Sequence, residues 1–119
     1  MERNNRQKGD EAEALAVDFL KKKGYIILKR NFRYGQIAEI DIVAKDKEYL
    51  VFIEVKSGNT KYVNSLLEMI TPQKQKKLRT AAKAYLQFNK IENMPCRFDV
   101  LTIDFTNEQP VYELIVNAF

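Results

Sequence analysis

Histidine is missing from this sequence, and cysteine occurs once, at Cys96. A Cys/His zinc site, a disulfide framework and a His-based catalytic triad are therefore excluded. A single thiol fits a reducing, cytoplasmic setting. Long apolar runs are also missing, since the longest extend for only a few residues, far short of a membrane span. The opening "MERNNRQKGDEAEA" is polar, so no secretory signal is expected. No repeat and no Pro/Gly/Ser-rich linker divides the 119 residues, which read as one domain over 1–119. A chain of that size buries roughly two-thirds of its unfolded surface.

What is present is a modest basic surplus, a formal net charge of +4. Its placement matters more than its size. Basic residues gather at Lys21–Lys23, Lys29–Arg33 and Lys74–Arg79. Such a surface attracts a polyanion in a salt-dependent way, although Lys-rich helix faces also occur simply as solvated faces.

The element pattern is α-β-β-β-α-β-β, an α/β fold with a mixed sheet flanked by helices. A first helix is expected over Asp10–Lys23, with Asp10 as cap, Glu13 at the third helical position and an apolar stripe of Leu15, Ala16, Phe19 and Leu20. Gly24 stops it. "YIILKRNF" reads as a strand and Arg33–Gln36 as a turn. Two strands follow around a short loop near Asp46–Glu48, then a mostly irregular stretch with one turn at "NSLLEMI". Thr71-Pro72 starts a second helix that runs to about Phe88, with Leu78, Ala81, Ala82, Tyr85 and Leu86 inward. "CRFDVLTIDF" and "PVYELIVNAF" are the last strands, the final one at an edge.

The central hairpin, "AEIDIVAKDKEYLVFIEVKSG", carries the chemistry. Strand side chains alternate between faces. Ile37, Glu39, Asp41 and Val43 share one face of the second strand, and Ala38, Ile40, Ile42 and Ala44 the other. In the third strand Leu50, Phe52, Glu54 and Lys56 share a face. The charged ends of the two strands must therefore meet. A four-residue loop sets Asp41 opposite Glu54 and Glu39 opposite Lys56, whereas a two-residue turn sets Asp41 opposite Phe52 with Glu54 diagonal. Cross-strand neighbours lie about 5 Å apart when opposed and about 7–8 Å apart diagonally, so both registers let the two carboxylates reach one shared atom.

Two carboxylates about 4 Å apart repel by roughly 4 kcal/mol at an effective dielectric near 20. Without a counter-charge one of them stays protonated. Lys56 supplies a single positive charge, too little if Glu13 or Glu39 also points in. Oxygen ligands without His or Cys point to Mg²⁺ or Mn²⁺. A hard cation beside a lysine and a basic surface suits phosphodiester hydrolysis. The plainer alternative is an exposed Glu54–Lys56 salt ladder, worth little. Glu13 fits both a capping box and a place beside the sheet. Gln75 interrupts an inward stripe and is a candidate supporting residue, as is Glu39. Lys74, Lys76, Lys77, Arg79 and Arg33 are candidate DNA contacts on the rim. Arg97 and Asp99 share a strand face and read as a structural ion pair.

"GDEAEALAVDFLKKKGYIILKRNFR", "AEIDIVAKD", "YLVFIEVKSG", "TPQKQKKLRTAAKAYL", "CRFDV" and the terminal "NAF" resemble, in order and spacing, the YraN-like family of small bacterial proteins. That family is similar to the restriction-endonuclease-like superfamily, closest in plan to archaeal Holliday-junction resolvases. The resemblance implies a mixed sheet bearing an Asp followed by Glu-x-Lys, here Asp41, Glu54 and Lys56, with Glu13 as the helix acid. It departs from the family pattern at Ala12 and Ala38, where glycine is usual, and at Gly58, where a basic residue is usual.

The resulting expectation is a Mg²⁺- or Mn²⁺-dependent endonuclease acting on DNA, with branched or otherwise structured DNA as candidate substrate. Asp41 and Glu54 would hold the ion, joined by the Val55 carbonyl and by Glu13 directly or through water. Lys56 would serve the attacking water. Cutting two strands would favour a homodimer. The alternative is a nucleic-acid-binding module that keeps the fold without catalysis.

Overall fold

The computed structural model describes the backbone of residues 5–59 and 66–119 and the side chains of 9–59 and 68–119. Helix α1 (Asn5–Lys22) begins before Asp10. Asp10 therefore lies inside the helix, Glu13 is not at its third position, and the capping-box reading is overturned. The other end is as read. Gly24, at φ +96°, donates its N–H to the Lys21 carbonyl at 3.0 Å, and Tyr25 donates to Leu20 at 3.0 Å. This paired closure uses glycine because the left-handed position penalises a Cβ.

Strands β1 (Ile26–Tyr34), β2 (Ala38–Asp46) and β3 (Tyr49–Gly58) form an antiparallel meander. A 3-10 turn at Leu66–Met69 falls within the expected "NSLLEMI" turn, whose Asn64 and Ser65 lie outside the described residues. Helix α2 (Pro72–Phe88) then carries the chain across to β4 (Cys96–Asp104), parallel to β3, and β5 (Val111–Ile115) closes the sheet at its edge. The sheet order is β1-β2-β3-β4-β5. This mixed sheet in the order α-β-β-β-α-β-β is consistent with a restriction-endonuclease-like fold. Among the described residues no helix is long and apolar enough to cross a membrane.

Each helix covers one face. Ala12, Ala16 and Leu20 of α1 bury against Ile42, Ile53 and Leu101. Leu78, Ala81, Ala82 and Tyr85 of α2 bury against Val43, Leu50 and Phe52. Alternation along β3 assigns Leu50 and Phe52 to α2 and Val51 and Ile53 to α1, as period-two geometry requires.

The alternation breaks in β2. Ile42 and Ala44 pack with α1, yet Ile40 packs with α2 beside Val43. The strand does not keep Ala38, Ile40, Ile42 and Ala44 on one face. The switch falls at Asp41, between the pairs Arg30–Ile42 and Phe32–Ile40. Asn31, the residue between those partners on β1, has φ +56°. The left-handed residue thus lies across the ladder from the switch, and Asn tolerates the conformation better than most residues.

The Arg97–Asp99 pair is present and belongs to a larger network. Arg97 Nε donates to Asp99 Oδ1 at 3.0 Å and Nη2 to Asp46 Oδ2 at 2.7 Å. The Tyr25 hydroxyl and the Asn117 N–H also donate to Asp99, at 2.8 and 3.0 Å.

Candidate functional site

The hairpin turn is two residues, Lys47-Glu48, with Asp46 paired to Tyr49. It is centred one residue later than the two-residue turn weighed as one alternative from sequence, so the register is the one that the four-residue loop gave: continued one step beyond Ile42–Ile53 it brings Asp41 to Glu54, with which Asp41 interacts by charge and hydrogen bond. Pairing between β2 and β3 stops at Ile42–Ile53, while β2 continues beside β1 to Ala38 and β3 beside β4 to Gly58. The two strands fork there. The Val55 N–H donates to Asp41 Oδ2 at 2.8 Å, so the Asp41 side chain stands in for a ladder carbonyl at the fork.

The fork opens into a cleft of about 480 Å³, lined by Asp41, Glu54, Val55 and Lys56, with Glu13 entering from α1 and Lys74 from α2. Glu54 is only 5% exposed. Its Oε1 lies 3.8 Å from Lys56 Nζ and 3.5 Å from Lys74 Nζ. Its Oε2 is buried and, with both carboxylates ionised, has no hydrogen-bond partner among the described residues, whereas a proton kept on Asp41 bonds to Glu54. A buried carboxylate oxygen left unpaired is costly, and native structures keep such groups for a reason.

The charges in the cleft perturb one another. Burial pushes the Asp41 carboxyl up to about 8, and the facing Glu54 adds to the rise through charge and hydrogen bond. Burial raises Glu13 as well, against the pull of its Arg30 hydrogen bond and with a further push from Asp41. Burial lowers Lys56, and Lys74 lowers it further. Burial also acts to lower Lys74, but its hydrogen bond to Lys56 and the charges of Glu54 and Asp41 leave it raised. The cleft thus holds crowded like charges of both signs, a pattern that clusters at functional sites.

The residues fit a hard divalent cation of the Mg²⁺ type. Such ions are held by one or two carboxylates and keep several waters. Asp41 and Glu54 supply the two carboxylates, and the unpaired Glu54 Oε2 is the atom such an ion would satisfy. Among the described residues no group of three acids is arranged as a ready cage. Glu13 lines the cleft, but its Oε1 accepts from Asn31 Nδ2 at 2.8 Å and from Arg30 Nε at 3.1 Å.

The remaining candidates scatter. Glu39 lines the cleft and pairs with the exposed Arg33 at 3.0 Å. Gln75 does not line it; its amide donates to the Ile70 carbonyl at 3.3 Å and ties the residue after the 3-10 turn to α2. Arg79 stacks over Phe98 and Phe119, with its guanidinium 5.2 and 5.5 Å from the ring centres. Lys76 is exposed, and Lys77 lines a neighbouring groove. Lys74, read from sequence as rim, is inside the cleft. Asn31 and Arg30, both missed as site residues, hold Glu13. An Asn in the middle of the strand-like "KRNFR" was the available signal for the first of them.

Residues 12–103 match Uncharacterised protein family UPF0102. A UPF0102 protein of Dehalococcoides mccartyi is 40% identical over 115 residues, covering 97% of this chain and 94% of its own. The chain belongs to the UPF0102 family. Further UPF0102 relatives are found in Caldicellulosiruptor saccharolyticus, 42% identical over 98% of this chain and 99% of its own, and in Acetivibrio thermocellus, 38% identical over 98% and 93%. This is the family that the YraN-like resemblance named. The UPF0102 match spans Glu13, Glu39, Asp41, Glu54, Lys56 and Lys74, which leaves Asp10 as the one charged residue lining the cleft that lies outside it.

Proposed function

We propose that the cleft hydrolyses DNA phosphodiester bonds with a bound Mg²⁺ or Mn²⁺. The observation that carries this reading is the buried Asp41–Glu54 pair at the strand fork, with Glu54 Oε2 unpaired and Lys56 alongside. Asp41, Glu54 and the Val55 carbonyl would hold the ion, and Glu13 would assist through water while Arg30 and Asn31 keep its carboxylate in place. The ion, when bound, supplies charge stabilisation at the scissile phosphate and acidifies a bound water. Lys56, only 16% exposed in its side chain, orients the attacking water and stabilises charge developing on the phosphoryl oxygens. Glu39, Lys77 and Arg33 lie along the adjoining surface where a DNA strand would run, and branched DNA is the substrate class that the resemblance to Holliday-junction resolvases suggests.

The test is cleavage of linear, nicked, flapped and four-way DNA with Mg²⁺ or Mn²⁺. Wild type is expected to cut, and Asp41→Ala and Lys56→Ala are each expected to lose at least a hundredfold in rate, the scale of a lost acid-base or electrostatic group. Equal activity in correctly folded variants would end the proposal. Salt-sensitive DNA binding that ignores divalent ions and survives Glu54→Ala would favour a binding module instead.

A further inference from the structure

Two lysines share one carboxylate oxygen in the cleft, and only one of them has somewhere else to go. Lys56 Nζ and Lys74 Nζ lie 3.8 and 3.5 Å from Glu54 Oε1, yet the Lys56 side chain is 16% exposed and that of Lys74 is 36%. Lys56 extends from β3 and is enclosed by the fork. Lys74 rises from the first turn of α2 and lines two spaces at once. One is the acid cleft, and the other is a groove of about 270 Å³ shared with Thr71, Lys77 and Glu39. With no metal bound, both lysine heads crowd against Glu54. A divalent cation on Glu54 would face both of them at close range, and like charges at that distance repel.

We propose that Lys74 is an exchange residue. It holds Glu54 as a substitute cation while the metal site is empty. When an ion takes Glu54, Lys74 moves to the groove and there contacts the phosphate next to the one being cut. This inference rests on the metal-dependent reading above and adds to it a residue with two successive partners. The lysine chain is flexible and carries a compact charge, which suits exchange between a carboxylate and a phosphate. The Thr71 cap fixes the backbone at Lys74 through the Lys74 N–H to Thr71 Oγ1 bond of 3.2 Å, so the side chain alone does the moving.

The proposal makes opposed predictions for one substitution. Lys74→Met removes the competitor from Glu54 and the contact from DNA. Mn²⁺ affinity without DNA, read by calorimetry, is expected to rise roughly fivefold, the scale of a partly exposed ion pair. DNA affinity in Ca²⁺, read by fluorescence anisotropy, is expected to fall by a similar factor. Lys74→Arg keeps the charge and is expected to stay near wild type in both. Lys76→Gln, which removes an exposed charge from the same helix outside both spaces, controls for long-range electrostatics and is expected to leave Mn²⁺ affinity unchanged. Mn²⁺ binding that stays equal or weakens in Lys74→Met overturns the exchange, as does an equal gain in Lys76→Gln or unaltered DNA affinity in Lys74→Met. Absence of any Asp41-dependent Mn²⁺ heat in wild type removes the functional reading itself, and the exchange with it.

Discussion

At the scale of single residues, Asp41 is the most informative group in the protein. Its carboxyl rises from an ordinary 3.8 to about 8 on folding, first through burial and then through Glu54. The folded chain therefore holds a proton that the unfolded chain has released above pH 4. Stability from this group is complete below that point and is lost as pH climbs through about 8. In EDTA, thermal melts of wild type are expected to fall across that window relative to Asp41→Asn, which carries no titrating group there. Saturating Mn²⁺ is expected to raise the wild-type melting temperature at pH 8 and leave Asp41→Asn unmoved. Identical pH profiles for the two proteins would contradict the crowding. The pair was legible because Asp41, Glu54 and Lys56 sit at strand spacings that alternation converts into a face. Lys74 was not, because helix periodicity says which residues face inward and nothing about which exposed lysine hangs over the mouth of a neighbouring fork.

At the scale of elements, the start of α2 was legible and the start of α1 was not, for related reasons. Thr71-Pro72 is a local chemical signal: the Thr71 hydroxyl accepts from the third helical N–H, and Pro72 needs no hydrogen-bond partner for its nitrogen. The residues from Asn5 to Gly9 are polar in sequence and show no apolar period, so nothing marked them as helical before Asp10. The misplaced start gave Glu13 a capping role and drew attention from its partners Arg30 and Asn31. The parity switch in β2 was hidden too, because no residue of β2 marks it and the left-handed Asn31 opposite it lies on another strand. Since the cap of α2 also anchors the backbone beneath Lys74, Thr71→Ala tests the element as a unit. It is expected to cost about 1 kcal/mol in urea denaturation, a typical loss for a hydroxyl cap. A loss below the error of the measurement would mean that Pro72 and the packing of Leu78, Ala81 and Ala82 hold the helix start alone.

At the scale of the whole molecule, the acid cleft and the Arg97–Asp99 network are two charged clusters of opposite design. With its acids ionised, the cleft leaves Glu54 Oε2 without a partner among the described residues, whereas the fully buried Asp99 receives donors from Tyr25, Arg97 and the Asn117 backbone. Asp99 thereby joins the end of α1, strand β4 and the C-terminal segment, and Arg97 extends the link to the end of β2. Only the Arg97–Asp99 contact was visible in sequence, since alternation puts those two side chains on one face; Tyr25, Asp46 and Asn117 come from distant parts of the chain. A satisfied network of this kind should govern stability and not chemistry. Asp99→Ala leaves a largely buried guanidinium with Asp46 as its remaining carboxylate, and breaking a buried pair in this way costs about 3–5 kcal/mol. That is a large share of the roughly 5–15 kcal/mol that separates folded from unfolded domains. Urea denaturation is expected to show the full loss, while Asp41-dependent Mn²⁺ binding, measured cold where the variant stays folded, is expected to match wild type because Asp99 does not line the cleft. A loss under 1 kcal/mol would show that Asp46 and the surrounding rings suffice to hold Arg97. A change in Mn²⁺ affinity would show that the two clusters are coupled through β3 and β4, whose parallel pairing runs from Leu50–Cys96 past Glu54–Val100.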